Sequence, residues 1–281
     1  MTTSYNPSQH FDQLASKYED LIGLLTGDIA RYVLSEHLPP IDSSTVIHDN
    51  ACGTGLVTQY LQEMMATKSS GSGSISPQIE ATDFVASVVE ITRHKASRHG
   101  WKNVTASVMD AQSLTFPAAH FDLSITNFGI FFLPEPQRGA DEIFRTLKPG
   151  GTAIVTTWKE RRVMDTLKLA QKALRPDRDV LSAPWEVPWS QEKTLRDTLL
   201  RAGFQEDKLR IVERRTDVLV GPLMRDPGMI ARSYPASVEG WSDEDKEKLG
   251  PTMLKIAREQ HPEDDGAGGL ISVAFIAIAT K

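Results

Sequence analysis

The chain has 281 residues, long for one small domain and short for two full ones, so the economical expectation is one domain over 1–281 with insertions. Lys plus Arg total 31 against 37 Asp plus Glu, a net charge of -6, which argues against general nucleic-acid binding because that function wants a basic face. A single cysteine, Cys52, excludes an intrachain disulfide and suits a reducing, cytoplasmic setting.

The polar start, Met1 to Asp12, carries no apolar run, so no signal peptide is expected. The longest apolar stretch, Leu270 to Ala279, is too short to span a bilayer as a helix, so no membrane association is expected either. Gly27 to Leu38 has helical spacing and stops at Pro39-Pro40. Thr45 to Ile47 reads as a strand that runs straight into Asp49-Asn50-Ala51-Cys52-Gly53-Thr54-Gly55. Leu56, Val57, Tyr60, Leu61, Met64 and Met65 then share one helical face. After a Ser/Gly loop, Ile79–Thr82 is a second strand closed by Asp83, and Val85–Ser97 a helix. Val104–Met109 is a third strand closed by Asp110, and Phe121–Asn127 a fourth. Glu135–Leu147 is a helix stopped by Lys148-Pro149-Gly150-Gly151, and Thr152–Thr157 a fifth strand. Alternating strands and helices predict an α/β, doubly wound parallel sheet. Beyond it come a helix carrying Leu167, Ala170 and Leu174, another over Gln191–Ala202, a strand over Leu209–Val220, an acidic helical stretch over Pro222–His261 and a last strand over Ile271–Ala279. Residues 1–30, 160–189 and 221–266 are expected to cap the strand ends, where open α/β sheets bind ligands.

The strand, glycine-rich turn and helix at 45–65 would present backbone N–H groups and a positive helix end to an anionic or polar ligand. A P-loop fails because Leu56 stands where lysine is needed. A nicotinamide turn fails because Thr58 replaces its third glycine. An acidic residue leading into the turn at Val46-Ile47-His48-Asp49-Asn50-Ala51-Cys52-Gly53-Thr54-Gly55 resembles instead the S-adenosylmethionine turn of class I methyltransferases. Asp83, Asp110, the Phe121–Phe128 stretch and Leu147-Lys148-Pro149-Gly150-Gly151 follow in that family's order and extend the resemblance over 44–158. Arg201-Ala202-Gly203-Phe204 and the two last strands resemble its sheet ending, which implies seven strands in a Rossmann-like sheet with helical cap insertions.

The resemblance implies S-adenosylmethionine as cofactor and a division of roles. Asp49 would face the methionine ammonium or simply cap the turn, with Asn50, Ala51, Gly53 and Gly55 lending backbone. Asp83 would take both ribose hydroxyls. Asp110 would meet the adenine amino group or form a turn, with Phe84, Met109 and Ala111 around the ring and Asn127 beside the cofactor. Tyr18, Thr26 and Gly27, too polar for a core, would close over it as a lid. Phe128, Phe131, Phe132 and Trp158, past the fourth and fifth strands, would line the acceptor pocket or belong to the core. One departure stands out: the family's usual first glycine is Ala51 here, whose backbone must take a conformation a Cβ tolerates. Cys52 lies inside a backbone-binding turn and needs no chemistry. No His/Asp/Glu cluster has metal spacing, and of seven histidines only His120 and His261 are candidates near the site. No catalytic base can be named, which tilts the acceptor toward a thiol, amine or phenol. The Asp-Asn-Ala-Cys-Gly-Thr-Gly turn is similar to that of fungal secondary-metabolite methyltransferases, including thiol methyltransferases of gliotoxin-type compounds. It implies a small-molecule acceptor, S-methylated in the first instance, and no nucleic acid. The sequence is silent on oligomeric state. Two rivals are a protein of this fold that no longer methylates, such as a pericyclase or a regulator of secondary metabolism, and a nicotinamide dehydrogenase.

Overall fold

The computed structural model describes residues 18–68, 75–178, 186–217, 226, 228, 238–262 and 271–281. Seven strands, β1 (Val46–Asn50), β2 (Gln78–Asp83), β3 (Val104–Val108), β4 (Phe121–Asn127), β5 (Leu147–Arg161), β6 (Leu209–Thr216) and β7 (Ser272–Thr280), form one sheet in the order β3-β2-β1-β4-β5-β7-β6. β1 to β5 pair in parallel, while β7 runs antiparallel to both β5 and β6. The strand order reverses between β1 and β4, and in such sheets the crevice at that switch point, beyond the carboxyl strand ends, receives the ligand. The central strands read as apolar runs because both faces are covered: Ile47, Ile79, Leu123, Ile125, Ile154 and Ile276 are almost wholly buried.

The helices are α1 (Tyr18–Glu36), α2 (Leu56–Lys68), α3 (Ala86–His99), α4 (Pro136–Thr146), α5 (Arg162–Leu174), the single turn α6 (Glu186–Trp189), α7 (Glu192–Ala202) and α8 (Asp243–Gln260). α1 begins nine residues before the expected Gly27. Thr26 and Gly27 are therefore buried inside a helix rather than part of a polar lid. Ile29, Ala30, Val33 and Leu34 of α1 enter the main core, and Gly27 lets α1 approach α2, since a Cβ there would meet Tyr60 Oη at 2.7 Å. The backbone of Tyr18 opens α1; the rest of the expected N-terminal lid, residues 1–17, lies outside the described residues.

β5 starts five residues before the expected Thr152, because Leu147 pairs with Phe121 before a bulge restores the register at Leu123–Thr152. Gly151 is required there: a Cβ would press on the carbonyl oxygens of Lys148, Phe121 and Asp122 at 2.9–3.2 Å. β6 stops at Thr216, and residues 218–220 of the expected strand are outside the description. The acidic stretch forms α8, capped by Ser242, whose side chain accepts from Asp245 N–H. α5 and α8 build a second, smaller core from Val163, Leu167, Ala170, Leu249, Met253 and Ala257, joined by Leu25 of α1. Trp158 packs against both cores. Among the described residues no helix is long and apolar enough to cross a membrane.

Candidate functional site

β1 delivers the chain to the switch point and the glycine turn reverses it into α2. Cys52 N–H donates to Thr82 O (2.9 Å) and Gly55 N–H to Cys52 O (2.9 Å), which pins the turn to the end of β2. Gly53 (φ +54°) and Gly55 (φ +78°) take left-handed conformations, and Gly55 has no room for a Cβ because Thr92 Cγ2 would stand 2.8 Å away. Ala51 does the same at φ +55°. The expectation of a Cβ-tolerant backbone at 51 is thus corrected: the alanine sits where glycine is normal, at a cost of roughly 1–2 kcal/mol. What accommodates its methyl is Gly129 across the crevice, where an added Cβ would fall 2.5 Å from Ala51 Cβ.

The three acidic residues have three different environments. Asp49 is buried beneath the turn, where its Oδ2 accepts from Thr58 N–H (3.0 Å) and Thr58 Oγ1 (2.6 Å); burial pushes its carboxyl up to about 6. Asp83, at the end of β2, has Oδ2 accepting from Gly53 N–H and Oδ1 from Val85 N–H, both at 2.9 Å. It lines the crevice, and burial raises its carboxyl above the ordinary range against the pull of those N–H donors. Each of its oxygens keeps a second lone pair. Asp110 is exposed and forms a turn with Gln112, whose backbone N–H and side-chain amide both donate to Oδ1 (2.9 and 3.0 Å).

The facing wall comes from the end of β4. Asn127 Nδ2 donates to Thr26 O (3.1 Å), tying α1 to the sheet, while its Oδ1 accepts from Thr156 Oγ1 (2.9 Å), which in turn accepts from Phe128 N–H (2.9 Å). That network holds Phe128 at φ +58°, an uncommon position for a bulky side chain, with its ring stacked on Trp158 at 4.0 Å between centroids and 15° between planes. Phe131 is buried and packs between Phe132 and Trp189.

Between these walls lies a crevice lined from both sides. Of the expected cofactor residues, Ala51, Gly53, Asp83, Phe84, Met109, Ala111 and Asn127 line it, and so do Phe128 and Phe132 from the expected acceptor wall. Asp49, Asn50, Gly55, Asp110, Thr26, Gly27, Phe131 and Trp158 are not among its lining residues. Asp49 and Gly55 act on the turn from beneath, Asn50 donates to Thr126 Oγ1 (3.1 Å), and Trp158 backs Phe128. Sequence reading missed Thr54, Val88, Gly129 and Leu133. Thr54 lies in the turn motif itself and was legible; the other three are apolar residues whose exposure to the crevice depends on how α3 and the loop after β4 fold over it. His120 is corrected: it precedes β4, at the edge of the sheet opposite Asn127, and stacks on Phe116. His261 is not a lining residue and follows α8, with Nδ1 3.5 Å from Arg162 Nη1.

The cavity suits a cofactor with both a polar and a flat apolar part. Thr54 Oγ1 is buried in its wall with no hydrogen-bond partner, Asp83 has lone pairs to spare, and Phe84, Val88, Met109 and Ala111 form an apolar side. Residues 4–174 match the profile of the ubiE/COQ5 methyltransferase family, which is more than half of the chain, and the chain belongs to that family. It is an S-adenosylmethionine-dependent methyltransferase.

Among curated relatives, the chain is 25% identical to the methyltransferase tpcH of Aspergillus fumigatus over 244 residues, covering 84% of each protein. It is 26% identical to the acetylaranotin bis-thiomethyltransferase of Aspergillus terreus over 262 residues, covering 86% of this chain and 85% of the relative. The crystal structure of the 4+2 cyclase SpnF superposes with a TM-score of 0.57 at 18% identity, over 98% of both chains, a likeness of fold alone. Fold therefore does not separate methyl transfer from cyclisation, and the assignment rests on the family match.

Proposed function

We propose that this enzyme methylates a small, largely apolar secondary metabolite, with a thiol as the leading nucleophile and an amine or phenol close behind. The observation that carries the proposal is the lining of the cavity: among the described residues Asp83 is its only ionisable side chain, and the acceptor side is built of Phe128, Phe132 and Leu133. Such a wall suits an apolar ring system, whereas a nucleic acid or phosphorylated metabolite would call for clustered Arg and Lys. S-adenosylmethionine supplies a methyl group already activated on a sulfonium. The chain's own residues must hold the two reactants in line and exclude water, a service worth roughly 7–11 kcal/mol when the geometry is right. In this reading Asp83 and Thr54 anchor the cofactor's polar part, Phe84, Met109 and Ala111 hold its base, and the Asn127–Thr156–Phe128 network sets the acceptor wall. Asp49 acts from beneath by fixing the turn through Thr58, and Asp110 by shaping the loop that carries Met109 and Ala111. α5 and α8 form the described part of the cap, in a single domain with the sheet.

A nucleophile that ionises near neutrality needs no strong base: a thiol does so in part unaided, while an aliphatic alcohol does not. The sulfur preference is also that of the acetylaranotin relative's name. A cytosolic setting fits the single buried cysteine. The test is a competition assay with labelled S-adenosylmethionine over small thiols, amines and phenols of matched size. S-methylated products should dominate. Label confined to nitrogen, oxygen or ring carbon discards sulfur, and transfer only to RNA or protein overturns the small-acceptor reading.

A further inference from the structure

A second polar feature lies at the same edge of the sheet, beyond the Phe128–Trp158 stack. β6 is parallel to β5, because β7 opposes both, so Thr216 at the end of β6 and Ser272 at the start of β7 stand at the carboxyl edge of the sheet, the same edge as the cavity though not among its lining residues. They are direct partners in the ladder, as are Arg214 and Ala274, and Ala274 also pairs with Trp158. Residues paired in register share a face of the sheet. Thr216, Ser272, Arg214 and Trp158 therefore face the same side. It is the side covered by α1, since Tyr32 of α1 lies beneath the Arg214 guanidinium at 4.5 Å.

Both hydroxyls are deeply buried, with Thr216 3% exposed and Ser272 fully buried, yet neither Thr216 Oγ1 nor Ser272 Oγ has a hydrogen-bond partner; Arg214 Nε also lacks one. Buried polar side-chain atoms are nearly always paired, so three orphans on one face at the carboxyl edge of the sheet call for an explanation. The strand pairing itself requires no hydroxyl at either position: Val or Ala would fill the same space without the desolvation cost.

We propose that Thr216 and Ser272 form a specificity subsite for the methyl acceptor, receiving an oxygen without a proton of its own, a ketone, amide or ester carbonyl, remote from the nucleophilic atom. Both hydroxyls can donate to such an oxygen, and Arg214 Nε can only donate. Strand spacing of about 4.8 Å sets β7 and β6 one and two strands beyond Trp158, so the carbonyl sits roughly a ring system's width from the Phe128 wall. The inference rests on the small-acceptor reading above and sharpens it from an apolar ring to an apolar ring with a carbonyl at a fixed reach.

The experiment compares 3-acetylthiophenol with 3-ethylthiophenol, probes of like size that differ in one oxygen, on the wild-type full chain and on Thr216→Val and Ser272→Ala. Intrinsic thiol reactivity cancels when the ratio of kcat/KM for the two probes is compared between proteins. That ratio should fall about tenfold in each variant, while calorimetric affinity for S-adenosylmethionine is maintained and thermal stability holds or rises because a buried orphan has gone. An unchanged ratio overturns the subsite. So does a clear loss of thermal stability in both variants, which would mean that the hydroxyls serve the sheet edge through trapped water. If the wild type methylates neither thiol, the sulfur reading fails separately. The subsite is then decided by ligand-observed NMR of acetophenone against ethylbenzene on protein saturated with S-adenosylhomocysteine: selective acetophenone binding that both variants abolish upholds it, and equal binding overturns it.

Discussion

Replacing Asp83 by Asn separates the two tasks its carboxylate is placed to perform. In the wild type one oxygen accepts from Gly53 N–H and the other from Val85 N–H, each at 2.9 Å, which joins the glycine turn to the start of α3. An amide has only one oxygen. Whichever backbone N–H it keeps, the other faces an NH₂ group that cannot accept, and an unpaired buried donor costs about 1–3 kcal/mol. The fold should survive that loss with a lowered unfolding midpoint. The ligand side loses more. If the carboxylate accepts from both ribose hydroxyls, Asn forfeits at least one charge-assisted bond worth about 1.5–3 kcal/mol. That corresponds to a 10- to 150-fold fall in affinity, at about 1.4 kcal/mol per decade. Titration calorimetry with S-adenosylmethionine on the folded variant reads this directly, with chemical denaturation measuring the structural part alongside. A destabilised variant that binds the cofactor with wild-type affinity would refute the ribose assignment and leave Asp83 as a structural brace of the turn.

Two further predictions concern the frame around the site. Ala51→Gly relieves a left-handed alanine but frees the unfolded chain, so it should stabilise by about 0.5–1 kcal/mol; Gly129→Ala alone should cost about 1–3 kcal/mol by driving a Cβ to 2.5 Å from Ala51 Cβ, and the double variant should recover most of that in a denaturation cycle, additive losses being the contrary result. His48 is buried and stacked on Phe121, and burial lowers it to about 3 from 6.5 with a smaller push from His120, so its contribution is complete above pH 6.5 and is lost as pH falls toward 3, on the order of 5 kcal/mol in all. Asp49 is raised to about 6 from 3.8 and works in the opposite sense, its contribution being complete below pH 3.8 and lost as pH rises through 6. His48→Phe should therefore flatten or reverse the acid loss between pH 6 and pH 4 in urea titrations, and pH slopes equal to the wild type's would exclude His48 as the source.

The sheet and the cofactor turn were readable because their signals are local. A β-branched run, a glycine turn and a 3.6-residue apolar period each occupy one contiguous stretch, and Asp83 closes its strand whatever the rest of the chain does. Residues whose roles depend on a distant partner were not readable in that way. Gly27 looked like the first residue of a helix and part of a lid, and is instead a contact point within α1 for Tyr60, a residue more than thirty positions on. Thr26 looked too polar for a core, yet it is buried with its carbonyl bonded by Asn127, a hundred positions away. Ala51 looked like a mild departure from a glycine pattern. Its meaning appears only with Gly129: the methyl that one position adds to the crevice is matched by the methyl the other leaves out. Ala51 of the turn and Gly129 of the facing wall thus work as a pair, the alanine methyl occupying the space that the glycine leaves open. Where the two walls meet, the crevice is lined by side chains that no single stretch of sequence brings together.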